Sequence, residues 1–322
     1  MINILANDNI SNPKAIMVFV HGIGSHFQPL EYKYQYNHSG LTSAFLERNI
    51  ISYAMELEGH GLSQGIRCYI TKFDNFIVDL KFLIEKVKIK HPNLPIFLIG
   101  YSMGGAISAH FGIKYKSFVN GIILLAPMCG IKESMRPSIP VEYILRGLCY
   151  FFPSKKWLPG SSKDFVNKCS PNMEYAECKK KDKISYKDNH RLATAYSCIE
   201  ACDYIQLNYK NFITPVIIFH GDMDVVTDYN SSREFYYHIE SSDKIFKSIK
   251  NGYHNLFVQT HENDKNPEII VNNIISWVEE RITIDFSSQY YDIPEEETDN
   301  FYILLLFLFS LCCSFFLIFY IY

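Results

Sequence analysis

A chain of 322 residues with 48% hydrophobic and 20% charged residues can bury one large core, which excludes a disordered or fibrous polymer. A net charge of −3 at pH 7 excludes the basic surface that nucleic acid needs, so no nucleic-acid partner is expected. The nine cysteines have no framework spacing, and with no secretory signal at the start they read as thiols in a reducing compartment.

Residues 1–14 leave room for one short strand at most. Ala15–Val20 is a continuous apolar run, the pattern of a strand buried on both faces. It runs into His21, Gly22, Ile23 and Gly24. A glycine-rich turn at that point leaves backbone N–H groups free to face an oxygen, and the N–H of Ile23 is one candidate donor. The ring of His21 reads as a buried group that holds the loop. Residues 73–90 form an amphipathic helix, with Phe76, Leu80, Leu83, Ile84 and Val87 on one side.

The next apolar run, 95–99, leads into Gly100, Tyr101, Ser102, Met103 and Gly104, and a helical stretch follows over 105–115. A G-x-S-x-G between a strand and a helix is the setting of a nucleophile elbow. The sharp turn lifts the Ser102 hydroxyl above the sheet edge. Gly100 and Gly104 lack side chains because the backbone crowds there. The N–H of Met103 is the second candidate oxyanion donor, at the positive end of a helix.

A strand at 121–126 is followed by residues 128–213, too long for a loop and expected to form a helical cap. Within it, 141–152 is nearly all apolar. Two readings stay open for that helix, burial on the core or a lid that lines an acyl slot and touches lipid. The run Lys179-Lys180-Lys181-Asp182-Lys183 reads as a solvated face. Cys198 and Cys202 share a helix face as packing residues, and no cysteine–histidine set has zinc spacing.

The strand at 215–219 ends in His220, Gly221, Asp222, Met223 and Asp224, which puts two acids in competition at a sheet edge. The strand at 245–249 ends in Gly252, Tyr253 and His254, where a base is needed. A helix is expected over 267–281, then an acidic linker at 283–300. Residues 301–322 carry no charge and as a helix would extend about 33 Å, enough to cross a bilayer.

Four ordered motifs carry a family resemblance: His21-Gly22-Ile23-Gly24-Ser25-His26, Gly59-His60-Gly61-Leu62-Ser63, the acid loop from His220 to Val226, and Gly252-Tyr253-His254. Together they resemble the monoacylglycerol lipase and lysophospholipase branch of the α/β-hydrolases. That resemblance implies a mostly parallel sheet flanked by helices, built from residues 1–127 and 214–282, with the cap at 128–213; the uncharged run itself gives the expected transmembrane helix at 301–322. It implies a Ser102–His254–Asp224 triad, with Asp224 rather than Asp222 as the acid, and no cofactor or metal. The implied substrate is a monoacyl lipid ester, a lysophospholipid or monoacylglycerol. A general carboxylesterase and a membrane-tethered binding protein are the alternatives. The uncharged run at 301–322 is read as a membrane tail anchor with the catalytic domain in the cytosol; a buried C-terminal helix and a GPI signal after Ser287 and Ser288 are the other readings. One departure is Ser25, where monoacylglycerol lipases usually carry an acid that helps hold the glycerol head.

Overall fold

A computed structural model of the chain describes residues 1–7, 10–27, 38–133, 136–158 and 162–282. The chain divides into two units, Met1–Phe286 and Ser287–Tyr322. The expected acidic linker and apolar tail lie outside the described residues. No helix among the described residues is long and apolar enough to cross a membrane.

Seven strands form one sheet: β1 (Asn3–Asn7), β2 (Ala15–Val20), β3 (Ile50–Glu56), β4 (Ile96–Tyr101), β5 (Gly121–Leu125), β6 (Val216–Gly221) and β7 (Lys244–Ile249). Their order across the sheet is β1-β3-β2-β4-β5-β6-β7. Only β1 is antiparallel, pairing Asn3 with Glu56 at the edge. The other neighbours are parallel. Strands β2, β4, β5 and β6 are buried almost throughout, which is why each reads as an unbroken apolar run.

Helices cover both faces. On one lie α2 (Asp74–Lys90) and α3 (Met103–Lys114), whose apolar residues pack with Ile16, Val18, Leu98 and Ile122. On the other, Leu41 and Phe45 of α1 (His38–Leu46) and Ile270, Ile274 and Trp277 of α9 (Asn266–Ile282) pack on Met17, Phe97 and Ile123. Every residue of α3 from Met103 to Ile113 is buried. A helix apolar on all sides needs partners on all sides, and α3 finds them in the sheet and in an insertion above it.

That insertion separates β5 from β6. Its helices are α4 (Ile139–Phe151), α5 (Ser162–Cys169), α6 (Met173–Lys181) and α7 (Leu192–Leu207). Helix α7 packs on α3. It is tied below by Thr194, whose hydroxyl donates to the Cys68 carbonyl (2.8 Å) and accepts the Ile70 N–H (3.1 Å). The core-helix reading of 141–152 is overturned: α4 has no buried residue, and Tyr150 and Phe151 are 83% and 72% exposed. The lysine-run reading is corrected in part. Lys180 and Lys181 are exposed, but Asp182 is buried and Lys179 largely so, because both belong to an internal polar cluster. Between β6 and β7 lies α8 (Tyr229–His238), capped by Asp228, which accepts the Ser231 N–H.

Candidate active site

Parallel register brings the carboxyl ends of β2, β4, β6 and β7 to one edge, with Val20 beside Gly100 and Gly221 beside Ile249. Open α/β sheets carry ligand sites at this edge.

Ser102 stands between β4 and α3 with φ 57° and ψ −118°, a conformation L residues rarely adopt. The turn is held by the hydrogen bonds Ser102 N–H to Leu125 O (3.0 Å) and Met128 N–H to Ser102 O (3.0 Å). It closes only because its glycines lack side chains. A Cβ on Gly104 would collide with the Val20 carbonyl, and one on Gly100 with the Gly104 carbonyl. Gly22, in the loop after β2, is also close, though less so: a Cβ there would meet Ser102 Cβ at 3.0 Å. The turn that carries Ile23 therefore lies directly against Ser102, and Met103 opens α3 beside it.

His21 holds that turn through its ring. The Nε2 atom accepts the Leu57 N–H (3.1 Å), which leaves Nδ1–H to donate to the Gly22 carbonyl (2.8 Å). Glu56, fully buried, accepts the N–H groups of Phe27 (3.2 Å) and Leu62 (2.7 Å). It joins the turn after β2 to the Gly59–Ser63 motif. His26 reaches the insertion, its Nε2 2.9 Å from Asp182 Oδ2. Burial works against charge on Asp182, but hydrogen bonds from His26, Ser185 and the Ile184 N–H, with Lys179 nearby, hold its carboxyl well below the usual range. Sequence reasoning missed Glu56, His26 and Asp182 as a group. Their partners are distant in the chain and their local patterns signal no pairing.

Across the edge, His254 Nδ1 lies 2.8 Å from Asp224 Oδ2. Asp222, two residues earlier, is exposed. The Asp224 carboxylate is fully satisfied. Its Oδ1 accepts the N–H groups of Val226 (2.7 Å) and Thr227 (3.1 Å). Its Oδ2 accepts the Thr227 hydroxyl (2.8 Å) besides facing His254. Burial disfavours its charge, but the neighbouring His254 and hydrogen bonds from His220 and His254 outweigh that and hold the group well below the usual carboxylate range. The acid and histidine loops are strapped together by Met223 N–H to the Gly252 carbonyl (2.9 Å). Tyr101, next to Ser102, donates its hydroxyl to the His254 carbonyl (2.6 Å). Burial pushes the Tyr101 hydroxyl well above its ordinary value, so it stays a donor. The insertion reaches this side too, where the Cys169 carbonyl accepts the Asn255 N–H (2.8 Å). Among the described residues no group of three or more His, Cys, Asp or Glu is placed to hold a metal ion.

Residues 11–261 match the family model described as serine aminopeptidase, S33. The chain belongs to this α/β-hydrolase family. Within it the chain sits in the monoacylglycerol lipase branch, and it is a carboxylic-ester hydrolase. It is 29% identical over 234 residues to the caffeoylshikimate esterase of Arabidopsis thaliana, covering 71% of this chain and 69% of that one. It is 24% identical to the monoglyceride lipase of Rattus norvegicus, covering 84% of each. The structure of Paleococcus ferrophilus monoacylglycerol lipase superposes with a TM-score of 0.72 at 20% identity, over 87% of this chain and 99% of that one. At that identity the superposition shows the fold: an α/β-hydrolase with a mostly parallel sheet.

Proposed function

We propose that the chain hydrolyses esters of monoacyl lipids through Ser102, His254 and Asp224. The supporting observations are the His254–Asp224 hydrogen bond, the tie from Tyr101, next to Ser102 in the chain, to the His254 carbonyl, and the strained φ of Ser102. In this reading His254 takes the hydroxyl proton as Ser102 attacks the ester carbonyl, and Asp224 stabilises the imidazolium. The N–H groups of Ile23 and Met103 receive the oxyanion. His254 then gives its proton to the leaving alcohol, and water deprotonated by His254 releases the fatty acid and restores Ser102.

The acyl class rests on the insertion, which acts as the cap. Ile139, Val141, Tyr143, Ile144, Tyr150 and Phe151 stay exposed on α4, an apolar surface fit for lipid. Medium- and long-chain monoglycerides and lysophospholipids are expected to exceed p-nitrophenyl acetate in kcat/KM. A strict preference for the acetyl ester overturns the proposal. It would favour a general carboxylesterase, a reading to which Ser25 and the likeness to a caffeoylshikimate esterase lend support. Comparing monoglyceride with lysophospholipid in the same panel decides the head group.

The uncharged run 301–322 is proposed as a tail anchor that leaves the catalytic unit in the cytosol. Deleting it is expected to move the protein into the soluble fraction almost completely, since each large apolar side chain in lipid contributes about 1.5–3 kcal/mol. Turnover of a soluble ester stays near that of the full chain, while turnover of membrane lipid falls with the lost effective concentration. Fractionation and a thermal melt test this. Aggregation, or loss of soluble-ester turnover, would instead make the run part of the folded core.

A further inference from the structure

The acid loop holds a histidine that the proposed reaction does not use. His220 is the penultimate residue of β6, pairs in register with Ser248 of β7, and is fully buried. Its Nε2 lies 3.2 Å from Asp224 Oδ2, the same oxygen that faces His254. Its Nδ1 lies 2.8 Å from the Ser232 hydroxyl on α8.

These two contacts select the tautomer. If Nδ1 carried the proton, the bare lone pair of Nε2 would point at a buried carboxylate. With Nδ1 accepting the Ser232 hydroxyl, Nε2–H faces Oδ2; the same hydroxyl's other acceptor, the Pro127 carbonyl, is farther away at 3.4 Å. Gly221 makes the approach possible, because a Cβ there would strike the Gly252 carbonyl and separate the acid loop from the histidine loop.

We propose that His220 is a positioning residue on the acid, a second imidazole that shares Asp224 Oδ2 with His254 and limits how strongly the acid holds the protonated base. The proposal rests on the triad reading above. A carboxylate oxygen has a fixed supply of charge to offer. Each donor that shares it leaves less for His254, so solvent protons compete less well for the base. Among the described residues, these groups surround His220 and Asp224. Asp224 and Thr227 come from its own loop, and His254 from the loop after β7. Tyr229, with its ring centroid 5.5 Å away, and Ser232 come from α8. Cys129, whose thiol burial pushes up to about 12, meets Ser232 from behind. Tyr101 and Cys169 face Asp224 from the elbow and the insertion.

The sign follows. Removing the His220 donor makes Asp224 a stronger partner for the imidazolium. The base is then disabled at higher pH, so the acidic limb of kcat/KM moves up. Two polar variants separate this from a packing role. His220→Gln places an amide N–H where Nε2 sits, whereas His220→Asn reaches only the Nδ1 position and keeps the Ser232 contact. On a soluble ester, the acidic midpoint of His220→Asn is expected to rise by about half a pH unit or more. That of His220→Gln returns toward wild type. Identical acidic limbs for the two variants and wild type, whatever their kcat or melting temperature, overturn the proposal and leave His220 a core residue. Ser102→Ala, assayed alongside with a fluorophosphonate probe, keeps the cases apart. If that variant still labels and turns over, the triad reading has failed, and not the role of His220 within it.

Discussion

Ser102→Ala is expected to lower ester turnover by about 10⁴-fold or more and to abolish fluorophosphonate labelling, with the melting transition unchanged. The hydroxyl is the only group of the side chain that the proposed chemistry uses. Alanine meets the same positive φ as serine, so the turn is no more strained than before. Its backbone hydrogen bonds to Leu125 and Met128 involve no side-chain atom and persist. What remains in the variant is binding and the oxyanion donors, which alone give weak catalysis. Labelling that persists at another serine would remove Ser102 from its role.

Asp224→Asn is expected to cost about 10⁴-fold in kcat, against little change for Asp222→Asn. The reason is donor arithmetic. Oδ1 of Asp224 receives two backbone N–H groups, and Oδ2 receives the Thr227 hydroxyl and faces His254 and His220. An asparagine brings one oxygen and one NH₂ to a place where both sides supply donors. Either orientation leaves N–H facing N–H. If the amide turns its NH₂ to His254, the ring takes the wrong tautomer and its Nε2 can no longer accept the serine proton. Asp222 is exposed and loses no such partner. Equal losses in the two variants, measured on a soluble ester, would count against Asp224 as the acid.

Sequence exposes the parts of this molecule that obey local rules. Buried parallel strands must be apolar on both faces, so Ala15–Val20 and Val216–Gly221 announce themselves. A crowded elbow forbids side chains, so Gly100 and Gly104 mark its place. Helix α2 is equally plain from its apolar stripe, all of which is buried, with Ile77 added to it. What stayed hidden depends on contacts between distant segments. His26 and Asp182 are 156 residues apart, and an acid within a lysine run resembles solvated surface until the fold brings the imidazole to it. Glu56 sits at the end of a strand, and nothing local reveals that it accepts N–H groups from two separate loops. Helix α4 is open to two readings in the sequence, core or lid, because an apolar run does not say what covers it; in the structure it packs on α7 and has no buried residue.

The contact between His26 and Asp182 bears on how such enzymes diversify. Substrate choice is commonly treated as a property of the insertion, which can be exchanged while the machinery beneath stays constant. Here the two are joined by a buried tie, with His26 in the same turn as the Ile23 N–H. A graft lacking an acid at 182 would strand a polar ring in the interior, at about 1–3 kcal/mol. It would also remove one of the ties on the turn packed against Ser102, leaving those of His21 and Glu56. A change of insertion at 182 is therefore felt at position 26, so the insertion and the turn beside Ser102 are physically coupled.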